Sequence, residues 1–153
     1  MRIGIALGSN LGDSEQNVRS ACEFLRTLHD GSGPFLQSKL HRTKPLDCPP
    51  NSPDFVNAAI ELSSTIPPFD LLDLLQHYEI SHGRPADHGF HQPRTIDLDI
   101  LYCDQIHLHH PRLTIPHPRI ATRPFVLRPL NDICPDRPIR PDGRTVRELC
   151  GVV

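Results

Sequence analysis

The sequence predicts an α/β fold of the α+β kind: a β-α-β-β-α-β core that C-terminal helices close into a three-layer α/β/α sandwich. Three observations lead there. Two segments with apolar residues every three to four positions are flanked by segments in which apolar residues alternate. The strand-like segments come as one, then two, then one around the helical ones, which is the split βαβ order. About 50 residues follow the fourth strand, and their apolar clusters suit the second face of a sheet.

The first strand rests on the alternation of Ile3, Ile5 and Leu7, after which "GSNLGD" (8–13) turns the chain. Asp13 followed three residues later by Gln16 reads as a capping box. The stripe Val18, Ala21, Cys22, Leu25 and Leu28 makes the first helix, and Gly31 and Gly33 end it. Phe35–Arg42 and Phe55–Leu62 read as strands two and three, separated by a Pro/Asn/Asp-rich loop over 44–54. Pro67 or Pro68 opens the second helix, whose stripe is Leu71, Leu74, Leu75 and Tyr78, and Gly83 stops it. The loop "GRPADHGFHQPR" leads into the fourth strand, where Ile96, Leu98 and Ile100 alternate with Asp97 and Asp99. The resulting ferredoxin-like core is a mostly antiparallel four-stranded sheet with both helices on one face. Phe125, Val126, Leu127, Leu130 and Ile133, then Val146, Leu149 and Cys150, are the candidates to cover the other face. Residues 1–153 read as one domain, without repeats or an interdomain linker.

Composition narrows the function classes. Sixteen basic against eighteen acidic residues leave a net charge of −2, so no basic field argues for nucleic acid. Five cysteines lie far apart with no CxxC pair and no secretory leader before them, which predicts reduced thiols in the cytoplasm. No apolar run approaches membrane-spanning length. Seventeen prolines, about twice the usual share, gather between the periodic segments and stiffen the loops.

The aspartate pair poses the chemical question. Side chains two apart on a strand share a face, roughly 6.6 Å apart. Two carboxylates there repel by about 2.5 kcal/mol at an effective dielectric near 20. On spacing alone a solvated strand face explains them as well as a metal site does. The nearby Arg84 and Arg94 favour the metal: Mg²⁺ takes one or two carboxylates and lets phosphate oxygens complete its octahedron. "GSNLGD" reads as a tight turn first and an anion cradle second, since no Gly-Lys-Ser/Thr follows. Gln76 and Glu79, one helical turn apart, read as solvated. The histidines of "HLHHP" (107–111) lack a partner pair at zinc-ligand spacing. No nucleophile signature appears, whereas phosphoryl transfer needs little beyond positioning, metals and cationic clamps.

Taken together, "GSNLGD" (8–13), "RT" with "PL" (42–46), "PDFVNAAI" (53–60), "LLDLLQHYEISHGR" (71–84), "PRTIDLDIL" (93–101) and "LTIPHPRIATRPFVLRPL" (113–130) resemble the 6-hydroxymethyl-7,8-dihydropterin pyrophosphokinases of folate biosynthesis. The resemblance spans about nine tenths of the chain and implies transfer of pyrophosphate from ATP to the pterin hydroxymethyl. It implies that Asp97 and Asp99 hold two Mg²⁺ ions across the ATP phosphates, and that Arg84, Arg94 and Arg123 contact phosphate. Gln76, Glu79, Ile100, Arg112, Thr114 and His117 match further ATP contacts. Phe55 and Phe125 match the aromatics that sandwich the pterin, Asn57 matches the amide that reads its polar edge, and Gly8, Thr43 and Leu46 match positions beside it. The partners implied are two small molecules, met by a monomer. Where many relatives have arginine, Ala86 follows Pro85; His91 stands at a tryptophan position, Gln92 at a glycine and Lys44 at a proline. A two-metal nuclease would need more ligands and a basic groove. An RNA-binding sheet would expose aromatics, which total only 5% here.

Overall fold

A computed structural model describes residues 1–44, 53–83, 95–104, 106–140 and 142–151. The order is β1 (Arg2–Ser9), α1 (Ser14–Arg26), β2 (Leu36–Gln37), β3 (His41–Thr43), β4 (Phe55–Ser63), α2 (Pro68–Ser81), β5 (Asp97–Cys103), β6 (Leu108–His110), β7 (Leu113–Ile115), a 3-10 turn (Ile120–Thr122), α3 (Pro124–Ile133) and α4 (Val146–Cys150). The main sheet runs β5-β1-β4, with β2 and β3 both paired to the outer side of β4, and every pairing is antiparallel.

Alternation divides the sheet between two cores. Ile3, Ile5 and Leu7 of β1, Val56, Ala58, Ile60 and Leu62 of β4, and Leu98 and Ile100 of β5 pack with Val18, Leu25, Leu71, Leu75 and Tyr78 of the first two helices. Beneath the opposite face, Ala59, Leu101 and Tyr102 pack with Val126, Leu127, Leu130, Val146 and Leu149. The three layers and the C-terminal cover are those the sequence predicts. A register shift between Gly4 and Ile5 makes Leu101 an extra residue on β5, so Leu101 and Tyr102 both enter the second core.

Three sequence expectations need correction. Phe35–Arg42 is not one strand. The Ser38 N–H still bonds Ala59 O (2.9 Å), but its hydroxyl takes the Ala59 N–H (2.9 Å) and itself donates to Lys39 O (2.8 Å). A side chain thus occupies a ladder position, and the register slips one residue between Gln37↔Ile60 and His41↔Asn57. The capping box of α1 is only half made: Asp13 accepts from the Gln16 N–H at 3.2 Å, but the Gln16 amide reaches forward to Ser20 at 3.0 Å. Leu74 is 40% exposed, because Leu71, Leu75 and Tyr78 alone form the inward stripe of α2. The β6–β7 hairpin has strands of three residues, too short to show a period. Gly83 does end α2, with φ +99°, a conformation that favours glycine.

Candidate active site

Among the described residues β5 is an edge strand, and its outer side is covered there without a further strand. Between the two aspartates, the Leu98 N–H donates to a carboxylate oxygen of Glu79 on α2 at 2.7 Å, and farther along Leu101 O accepts from the His117 N–H at 2.8 Å. Leu98 turns into the helical core, so Asp97 and Asp99 stand together on the opposite face, both half-buried. Glu79 is buried, which overturns its solvated reading: its carboxylate accepts a backbone amide from a distant strand.

A cavity of about 510 Å³ opens beside β5, between α2 and the hairpin. It gathers Gln76, Glu79, Ile100, Arg112, Thr114 and His117 around Asp97 and Asp99, with Leu72, Ile80, His110 and Pro111 among the other wall residues. Leu72 and Ile80 carry no chemical signal in the sequence, and His110 and Pro111 stand out there only within the "HLHHP" run weighed for zinc. The signal on α2 was present: 72, 76 and 80 form an i, i+4, i+8 row beside the core stripe. The hairpin wall is pinned to α2 by Arg112 Nη2 donating to Asp73 Oδ1 at 2.7 Å, and by the edge of the His110 ring against Phe69, centroids 4.9 Å apart. Burial, Arg123 and Arg119 push the His117 imidazole down to about 4, against the pull of Asp97. Neutral at pH 7, it accepts the Arg119 N–H at Nδ1 (3.1 Å), which leaves Nε2–H as the donor.

A second group lies on the same sheet face. Asn57 pairs with Gly8, and Gly8 pairs with Asp97, giving a row across β4, β1 and β5. Thr43 pairs with Phe55, and the Asn57 amide donates to Thr43 Oγ1 at 2.8 Å. Asn57 is 4% exposed, so the amide is oriented before any ligand arrives. A Cβ on Gly8 would lie 3.2 Å from Asn57 Oδ1 and 3.9 Å from the Phe55 ring, so glycine keeps the floor between them open. Phe125, half-buried, occupies the first turn of α3, and the Arg123 guanidinium lies 5.5 Å from its ring centroid. Arg123 does not line the cavity beside β5. Arg84, Arg94 and Leu46, with the whole 84–94 loop, lie outside the described residues.

Two hard oxygen donors on one strand face, half-exposed beside a cavity, suit Mg²⁺ completed by phosphate oxygens. His107, His109 and His110 are exposed on or before β6, and among the described residues no three His, Cys, Asp or Glu converge as a metal cluster.

Comparison with known proteins bears on this geometry. A family model described as 7,8-dihydro-6-hydroxymethylpterin-pyrophosphokinase matches residues 4–135. A 2-amino-4-hydroxy-6-hydroxymethyldihydropteridine pyrophosphokinase of Pseudomonas aeruginosa is 40% identical over 148 residues, covering 97% of this chain and 89% of that one. The Bacillus subtilis protein of the same description is 38% identical over 130 residues, with 85% and 76% covered. Among solved structures, Plasmodium falciparum HPPK-DHPS with pteroate superposes with a TM-score of 0.73 at 15% identity, over 99% of this chain and 42% of that chain, a likeness of fold.

Proposed function

This chain belongs to the 7,8-dihydro-6-hydroxymethylpterin-pyrophosphokinase family, and on that premise we propose which of its residues carry the reaction. The reaction is transfer of pyrophosphate from ATP to the hydroxymethyl group of 6-hydroxymethyl-7,8-dihydropterin, giving AMP and the pterin diphosphate in folate biosynthesis. Bound Mg²⁺, two ions in this reading, is held by Asp97 and Asp99 and supplies charge neutralisation of the triphosphate and polarisation of the β-phosphorus.

The cavity beside β5 takes the nucleotide. Gln76, Glu79, Ile100, Arg112, Thr114 and His117 bind it there, and Arg84, Arg94 and Arg123 hold phosphate oxygens with guanidinium forks. Asn57 reads the polar edge of the pterin, with Thr43 fixing the amide, Phe55 and Phe125 stacking on the ring, Gly8 leaving space and Leu46 offering backbone groups. Strands two apart in a sheet are separated by roughly 10 Å, so a pterin whose edge meets Asn57 can extend its hydroxymethyl arm over Gly8 toward Asp97. The observation that carries this reading is the direct register of Asn57, Gly8 and Asp97 beside the cavity. The same reading takes residues 1–153 as one domain, working as a cytoplasmic monomer on two small molecules. Among the described residues no helix is long and apolar enough to cross a membrane.

The test is AMP release from ATP and Mg²⁺, with and without the pterin, in the unaltered protein and in Asp97→Ala. AMP that forms only with pterin, and vanishes in the variant, supports the assignment. Undiminished turnover in Asp97→Ala would remove the metal role.

A further inference from the structure

We infer that His41 is a positioning residue for the pterin site, acting through Asp132 as a strut between the two walls; this rests on the pterin reading above. His41 Nε2–H donates to Asp132 Oδ2 at 2.8 Å, and the two side chains are only 20% and 25% exposed. Exposed pairs contribute little because water competes for both partners; this one is shielded only on the His41 side, but it joins residues 91 apart in sequence.

What it joins matters more than what it stabilises. On β3, His41 stands in register with Asn57, and Thr43, two residues on and on the same face, accepts the Asn57 amide. On α3, Asp132 lies seven residues after Phe125, two turns along the same helix face. One hydrogen bond therefore ties the strand that orients the reading amide to the helix that carries a stacking ring.

α3 has one gap in its own bonding where such a tie can act. Pro129 sits inside it without an N–H, so the Phe125 carbonyl lacks its donor four residues on. Arg123, at the N-cap, gives no side-chain cap. Val126 and Leu127 fix the base of this turn in the second core, and the His41–Asp132 bond adds a tie on the β3 side of α3.

The test uses the full chain and calorimetry. The pterin is titrated in the presence of a saturating non-hydrolysable ATP analogue and Mg²⁺, and the analogue is titrated separately. His41→Ala is expected to weaken the pterin roughly three- to tenfold, the range for one lost hydrogen bond, with analogue affinity unchanged. His41→Gln, whose amide reaches the place of the imidazole Nε2–H, is expected to retain near-native pterin affinity. Asp132→Ala should match His41→Ala, and the double variant should lose no more than either single one. If His41→Ala fails to fold, Asp132→Asn, which keeps an acceptor without the charge, carries the test with a smaller loss confined to the pterin.

Unchanged pterin affinity, or equal weakening of both ligands, overturns the inference. Asn57→Ala, measured alongside, separates the two layers of the argument. If it loses pterin while His41→Ala does not, the strut is wrong and the site reading stands. If neither moves pterin affinity, the site reading is wrong and the strut falls with it.

Discussion

Two glycines of β1, Gly4 and Gly8, occupy the same sheet face four residues apart, and they end up doing opposite things. Gly4 is in register with Glu61 on one side and Tyr102 on the other; Gly8 is in register with Asn57 and Asp97. A Cβ on Gly4 would land 2.3 Å from the Tyr102 ring, so the protein fills that space with its own side chain. Among the described residues, the corresponding space over Gly8 meets only the Asn57 oxygen at 3.2 Å and the Phe55 ring edge at 3.9 Å.

The carboxylates follow the same division. Glu61, 4% exposed, accepts the Tyr102 hydroxyl at 2.6 Å and pairs with Arg2 at 2.8 Å and Arg137 at 2.6 Å. Burial pushes its carboxyl up, but the hydrogen bonds from Tyr102 and Arg2 and the charges of Arg137 and Arg2 hold it below the usual range. Asp97 and Asp99 stay half-buried, side by side, facing a cavity. An acid sealed within its own network stabilises; acids aimed at a cavity can take a ligand. The same contrast on one sheet face separates structure from function.

The strongest way to break this contrast is at the open end. Asp97→Ala or Asp99→Ala should cut AMP formation roughly a thousandfold or more, the several kcal/mol that a metal supplies to phosphoryl transfer. The melting temperature should hold or rise, because a like-charge repulsion disappears. Near-native turnover, or loss of the folded state, would contradict the division.

At the sealed end, Gly4→Ala should destabilise by about 2–4 kcal/mol, since a methyl group displaces the Tyr102 ring and with it a hydrogen bond to the buried Glu61. Urea unfolding measures this. Gly8→Ala is the complement. Its methyl needs the Asn57 amide to shift only a few tenths of an ångström, so stability should change by less than about 1 kcal/mol. Pterin affinity should fall roughly tenfold, the loss when a reading group is moved off its partner. If Gly8→Ala behaves like Gly4→Ala, the space above Gly8 is packing and not a binding floor.

The layers were legible because their periods are intact: Ile3, Ile5 and Leu7 alternate, Val18, Ala21, Cys22 and Leu25 keep helical spacing, and the Asp97/Asp99 face follows from the alternation of Ile96, Leu98 and Ile100. What escaped depended on partners distant in sequence. Ser38 breaks the second strand where Ala59 offers it a backbone N–H, and the buried Glu79 carboxylate takes the Leu98 amide of a strand 19 residues on. The Asp73–Arg112 tie that sets one wall of the cavity spans 39 residues and has no local signature.

The acid titration separates the two ends of the sheet by pH. His117, at the cavity, is held down to about 4 from its ordinary 6.5, so the folded protein keeps it neutral where the unfolded chain would bind a proton. The unfolded state therefore gains protons first, and stability falls as pH drops from 6.5 toward 4. Glu61 is held below its ordinary 4.5, so its contribution is present above that value and lost only as pH falls further, through its lowered folded value. Urea unfolding of the metal-free protein should show an upper limb from His117 and a lower one from Glu61. His117 and Glu61 can each add a slope of no more than about 1.4 kcal/mol per pH unit, the limit for one proton. His117→Gln removes the imidazole and should flatten only the upper limb, leaving the loss below 4.5 in place. Identical slopes between pH 6.5 and 4.5 in the two proteins would mean that His117 is not held neutral by its burial and its arginine neighbours, and that the open end of the sheet face is more solvated than its geometry indicates.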